Sequence, residues 1–155
     1  MHATIRVQRE DFDPGVEIDR ITGGDTSVGG ICTFIGTVRG NDEGAAVASM
    51  TLEHYPGMTE RALEEIAADA ERRWPLHGVT IIHRYGRLEP GERIVLVVTA
   101  SRHRDAAFEA CQFLMDWLKT KAPFWKLEET ESGQSWVDAR ESDDAAAARW
   151  EHEEN

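Results

Sequence analysis

The sequence predicts a mixed α and β fold, a hairpin-rich sheet carrying packed helices. Three observations lead there. Short β-rich runs alternate with stretches of helical apolar spacing. Turn residues such as Pro-Gly separate strands that are neighbours in sequence. The 155 residues are room for one domain, and no internal repeat or low-complexity linker divides them.

From the N-terminus, Ala3 to Gln8 alternates enough for a first strand. Asp13 before Pro14 reads as an N-cap and first-turn pair, opening a short helix to about Ile21 that Gly23-Gly24-Asp25 ends. Val28 to Arg39 is a β-rich run whose period of two places Ile35, Thr37 and Arg39 on one face. Gly40-Asn41-Asp42-Glu43-Gly44 reads as a mobile polar loop, and Val47 to His54 as the next strand. Leu63, Ile66, Ala67, Ala70 and Trp74 then recur at helical spacing until Pro75. Val79 to Tyr85 and Arg93 to Ala100 are strands around Glu89-Pro90-Gly91-Glu92, which fits a type II turn. A long helix runs from about Arg104 to Thr120, stopped by Pro123. Phe124 to Glu129 and Ser135 to Val137 form a final strand pair around Ser132-Gly133, and Asp143 to Trp150 a terminal helix before an acidic tail over about 151–155.

Composition excludes several classes. The longest apolar run, Ile94 to Ala100, is strand-sized, and the N-terminus lacks a charged head followed by an apolar stretch, so neither a membrane span nor a secretory signal is expected. The 29 acidic residues against 17 Lys and Arg give a formal charge of −12, which repels nucleic-acid phosphates. Two cysteines, Cys32 and Cys111, read as reduced thiols in apolar surroundings. The six histidines show no HxxxH or HxH spacing, so no metal site is expected, and nucleotide-loop and nucleophile-elbow motifs are absent.

What remains is lysine-centred chemistry on a phosphorylated small molecule, or no chemistry. Phe108, Cys111, Met115 and Leu118 form the apolar stripe of the long helix. Lys119 lies 11 residues after Phe108, three turns plus roughly 20°, and so points along that stripe, whereas Lys121 falls roughly 200° away from it. An amine on an apolar face resists protonation and suits a nucleophile or general base. The alternative is a lysine that snorkels to water at the helix end. Ser101-Arg102-His103-Arg104 at the start of the same helix is either an anion site or a basic surface turn paired with Asp105. Arg39, beside a polar loop, is an anion contact or a solvated charge. Strand alternation puts Phe124, Lys126 and Glu128 on one face, so Lys126 is a second site lysine or an exposed partner of Glu128. From Ser101 to Lys126 five Lys or Arg stand against three acids, +2 within a chain of −12, which favours a local anionic-ligand site.

Phe34-Ile35-Gly36-Thr37-Val38-Arg39, Leu52-Glu53-His54-Tyr55-Pro56-Gly57-Met58, His83-Arg84-Tyr85-Gly86-Arg87-Leu88 and Ser101-Arg102-His103-Arg104 occur in that order. They are followed by Leu118-Lys119-Thr120-Lys121-Ala122-Pro123-Phe124-Trp125-Lys126 and Trp136-Val137. With these linked blocks the chain resembles the MoaE family, the large catalytic subunits of molybdopterin synthase, from about Ile5 to Trp150. The resemblance implies an α+β fold, an α/β-hammerhead-like mixed sheet with packed helices and a small additional subdomain, as one MoaE-like domain over 1–155. It implies a cytoplasmic sulfurtransferase without cofactor that converts cyclic pyranopterin monophosphate (precursor Z) to molybdopterin. Two sulfurs, carried as a thiocarboxylate on the C-terminal Gly-Gly of a small ubiquitin-like subunit of the MoaD type, would form the dithiolene. A central homodimer with a small subunit at each end, a heterotetramer, is the implied assembly.

Residue by residue, Lys119 and Lys126 match the family's two essential lysines. Thr37, Val38 and Arg39 match a substrate-contacting strand end, and His103 with Arg104 a phosphate or pterin contact. Lys126, Leu127 and Glu128 match another contacting stretch, and Arg140 an arginine contributed across the dimer interface. Leu127 departs from the family, where that position is often basic, so a ligand contact there would use the backbone. Two rival readings are a non-catalytic dimeric module that docks a peptide tail along a sheet edge and a phosphate-ester hydrolase, the latter lacking metal ligands and nucleophile.

Overall fold

The computed structural model describes residues 3–42, 44–130, 133–137, 148 and 150. Strand β1 (Thr4–Gln8) leads to helix α1 (Pro14–Thr22), where the Asp13 carboxylate accepts from the Gly15 and Val16 amides at 3.0 and 3.3 Å. That capping and the fixed φ of Pro14 start the helix, and Gly23 in the left-handed conformation ends it. Strands β2 (Gly30–Thr37), β3 (Asn41–Asp42) and β4 (Ala45–His54) follow, then helix α2 (Met58–Arg73). Strands β5 (Leu76–Arg84), β6 (Gly86–Leu88) and β7 (Arg93–Ser101) precede helix α3 (Arg104–Lys121), and β8 (Phe124–Thr130) with β9 (Gly133–Val137) closes the described fold.

The strands form two sheets. The first has the order β1-β5-β7-β2, with β1 parallel to β5 and the other pairs antiparallel. Both its faces are covered, which explains the unbroken apolar reading of β7. Val79, Ile81, Val95 and Val97 face the main core with Leu63, Ile66, Phe113 and Leu114 of α2 and α3. Ile82, Leu96 and Val98 point the other way, against Phe12, Ile18 and Ile21 at α1. The second sheet runs β3-β4-β8-β9, with β6 also paired to β4. These layers are the mixed α+β architecture expected for the family.

Two expectations change, and one short strand is added. Asn41 and Asp42, expected in a polar loop, form strand β3: Asn41 pairs with Ala46, and Gly44 has a φ of 86° while its amide donates to the Asn41 side chain. The three-residue β6 carries too little sequence for its period to be read. Phe108 does not join the buried stripe of α3; it is 62% exposed, and Ala107, Ala110, Cys111, Leu114 and Leu118 make the packed face. The type II turn is present, with Gly91 at a φ of 89° and the Glu92 amide bonded to the Glu89 carbonyl. Of the terminal helix expected over Asp143–Trp150, only residues 148 and 150 are described.

Candidate active site

Strand β2 and helix α3 run side by side in the same direction. A Cβ on Gly30 would touch the Arg104 Cα at 3.3 Å, and Cys32 and Phe34 of the strand line one groove with Cys111 and Met115 of the helix. Seven residues of strand from Gly30 to Thr37 span roughly 23 Å, and fifteen residues of helix from Arg104 to Lys119 span roughly 22 Å. The end of β2, with Thr37 and Arg39, therefore lies alongside Lys119, while His103 and Arg104 lie at the opposite end of the same helix. A β-bulge between Gly36 and Thr37 re-aims the strand at this end, so the plain alternation expected for Ile35, Thr37 and Arg39 is broken there.

Lys126 reaches the Lys119 end by a short route. Helix α3 stops at Lys121, Ala122 and Pro123 turn the chain, and Phe124 opens β8. The Phe124 amide donates to the Ala122 carbonyl at 2.9 Å, tightening the turn. Lys126 then pairs with Leu52 of β4 and Val137 of β9, in the interior of the second sheet. Both lysines are half-buried, whereas Lys121 is exposed with its Nζ 4.5 Å from the Trp117 ring.

The two lysines converge electrostatically on His83, at the end of β5. This imidazole is 4% exposed, its Nδ1 donates to the Arg84 carbonyl at 2.8 Å, and its ring stacks on Phe124 at 3.7 Å between centroids. Burial pushes its pKa down from 6.5 to about 3; the Arg84 bond opposes this, and the positive charges of Lys119, Lys126 and a protonated His54 add to it. Sequence reading missed His83 as part of the site. Its one signal is that it continues the inward face of Val79 and Ile81 on β5.

The other expected contacts divide. Thr37 and Arg39 are exposed at the lysine end. Val38 is buried at 2%, its amide bonded to the Glu92 carbonyl and its carbonyl to the Gly91 amide, so it fixes the strand end rather than offering a side chain. Glu128 is buried on the inward face of β8 with Lys126, and Leu127 is half-buried. Arg102, His103 and Arg104 are exposed at the start of α3, where the His103 side chain makes no cap bond and Gly29 approaches closely. Arg140 lies outside the described residues.

Between β2 and α3 a groove of about 460 Å³ is lined by Cys32, Phe34, Phe108, Cys111, Met115 and Trp150. Met115 sits one helical turn before Lys119, so the groove leads toward the lysines. Burial is the main cause of a raised Cys111 pKa, and the neighbouring Cys32 adds to it. A second cavity, about 450 Å³ beside α1 and β5, is distant in the fold; its Arg6 and Arg20 both bond Glu17. Among the described residues no three His, Cys, Asp or Glu side chains come together as a metal site, and no helix is long and apolar enough to cross a membrane.

The fold is an α+β protein with an apolar groove between β2 and α3 and two half-buried lysines, Lys119 and Lys126, beyond the Met115 end of it. The sequence profile of the MoaE protein family matches residues 7–121. The molybdopterin synthase catalytic subunit of Pseudomonas aeruginosa is 56% identical over 147 residues, 95% of this chain and 98% of that one. The molybdopterin biosynthesis MoaE protein from Burkholderia ambifaria superposes with a TM-score of 0.83 at 54% identity, covering 96% of this chain and 98% of the other. A protein–protein complex of subunits 1 and 2 of molybdopterin-converting factor from Helicobacter pylori shares the fold at a TM-score of 0.72 and 18% identity, over 89% and 92% of the chains. The chain belongs to the MoaE family.

Proposed function

We propose that this chain is a molybdopterin synthase catalytic subunit that transfers sulfur at the Lys119–Lys126 end of the β2–α3 groove. The observation that carries the reading is the placement of two half-buried lysines on either side of the two-residue Ala122–Pro123 turn, Lys119 near the end of α3 and Lys126 near the start of β8, beyond a groove of about 460 Å³ between β2 and α3. The partner is a small ubiquitin-like subunit of the MoaD type, whose thiocarboxylated Gly-Gly tail enters along Phe34 and Met115. The setting is cytoplasmic, and the chain acts as one domain.

Arg39 holds the anionic precursor near the strand end, with Thr37 and the main chain around Val38 shaping that edge. The thiocarboxylate sulfur of one tail attacks the pterin side-chain carbon that carries the cyclic phosphate. That carbon–oxygen bond breaks, the oxygen leaves with the phosphate, which stays on the pterin as an open monoester, and tail and pterin are joined as a thioester. Water then cleaves the acyl–sulfur bond, so the tail leaves as a carboxylate and the pterin keeps the thiolate. One ammonium stabilises the charge on the acyl oxygen, and the other amine moves the proton taken from water. A second loaded partner adds its sulfur to the neighbouring carbonyl carbon, whose oxygen leaves as water as the carbon–carbon double bond forms, and hydrolysis of this second thioester completes the dithiolene.

His103 and Arg104 lie roughly 22 Å from Lys119 along α3, a span too long for one pterin to bridge. They serve the site of a second copy in a homodimer, within a heterotetramer carrying two small subunits. Lys126, Leu127 and Glu128 of β8 complete the substrate edge, and Arg140 adds a cation from the partner copy.

The test is a single-turnover assay with cyclic pyranopterin monophosphate and the small subunit in thiocarboxylate and plain carboxylate forms. Dithiolene is expected with the first and none with the second. A stable complex that makes no product with a competent thiocarboxylate would contradict the reading, and phosphate opening without any sulfur donor would point to a hydrolase.

A further inference from the structure

We propose that His83 is a positioning residue for the lysine pair, fixing the α3–β8 turn through its ring stack on Phe124. The inference rests on the reading of Lys119 and Lys126 as the reacting amines. The two lysines sit on either side of a turn made only of Ala122 and Pro123. Lys126 follows Phe124 by two residues and shares its face of β8. Whatever holds the Phe124 ring therefore holds the start of β8 against the end of α3, and with it the spacing of the amines.

His83 is placed to do this. Its ring lies nearly parallel to Phe124, at 18°, with the shortest centroid separation of any ring pair among the described residues. His54, the cross-strand partner of Phe124, lies 6.2 Å from the same ring and 4.4 Å from Tyr85. This aromatic seam ties β5 of the first sheet to β4 and β8 of the second. The Nδ1–H bond to the Arg84 carbonyl locks the His83 ring orientation. A neutral ring also adds no further positive charge beside the lysines, and burial keeps it neutral.

Two full-length variants separate the stack from the hydrogen bond. His83→Phe keeps a neutral stacking ring and gives up the bond; His83→Asn keeps a side-chain donor and gives up the ring. One readout is the single-turnover rate against substrate concentration. The other is the NMR spectrum of the lysines after reductive 13C-methylation, which needs no substrate. The Asn variant should lose roughly 10-fold or more in rate with little change in half-saturation, and the Lys119 and Lys126 signals should move. The Phe variant should restore both. Wild-type rate and spectrum in His83→Asn, or a Phe variant as impaired as Asn, would overturn the proposal. Should His83→Asn not fold, Phe124→Leu removes the other half of the stack and must reproduce the rate loss and lysine shifts; wild-type behaviour there overturns the proposal equally. An inactive wild-type chain whose lysine signals still respond to His83→Asn would refute the sulfur-transfer reading and leave the positioning role standing.

Discussion

A histidine that folding strips of its proton ties the site to stability. In the unfolded chain His83 titrates near 6.5; in the fold it refuses a proton down to about 3. Between those values the unfolded state binds one more proton than the native state, so this contribution is fully present above pH 6.5 and drains away as pH falls toward 3. From pH 7 to pH 5 the expected loss is about 2 kcal/mol. Urea midpoints at both pH values check it, wild type against His83→Phe. The variant should show the shallower dependence, because Asp25 and Glu129, lowered mainly by hydrogen bonds from Ser27 and Ser49, titrate identically in both proteins. Equal dependence would mean that His83 is not held neutral. Among single residues, Lys119 and Lys126 were legible as candidates from helical phase and strand alternation. His83 was not, because a histidine in an apolar strand carries no local mark of which loop or lysine lies above it.

At the scale of elements, local chemistry made long pieces readable and left short ones hidden. The Asp13-Pro14 start of α1, the Pro-Gly turn before β7 and the span of α3 follow from capping, φ preference and period. The two-residue β3 and three-residue β6 exist because β4 offers them a pairing edge, which is tertiary information. Phe108 was misread for a related reason: α3 overhangs the edge strand β2, so one flank of its apolar stripe opens onto the groove. The same pairing of β2 with α3 makes Gly29 sensitive. A methyl there would meet the Arg102 carbonyl oxygen at 2.2 Å, and the Gly29 amide bonds Ser101. Gly29→Ala is expected to cost about 1–3 kcal/mol by urea unfolding, since backbone has to move. Unchanged stability would contradict the close approach of the two elements.

For the whole molecule, the sheet and helix geometry places the candidate cations of an acidic chain, −12 overall, at two ends of one helix. Sequence blocks named candidate residues but gave no distances, and the roughly 22 Å rise from Arg104 to Lys119 is what divides them. A shared site follows if each pterin needs both sets. The most direct measurement mixes two inactive variants, Lys119→Ala and His103→Ala, each first shown to bind the small subunit. Subunit exchange between homodimers at equal amounts leaves one intact shared site in each mixed dimer, so about one quarter of wild-type single-turnover product should return. Full activity of Lys119→Ala alone, or no recovery from mixing after exchange is complete, would contradict a sulfur-transfer site built from the lysines of one copy and the helix start of the other.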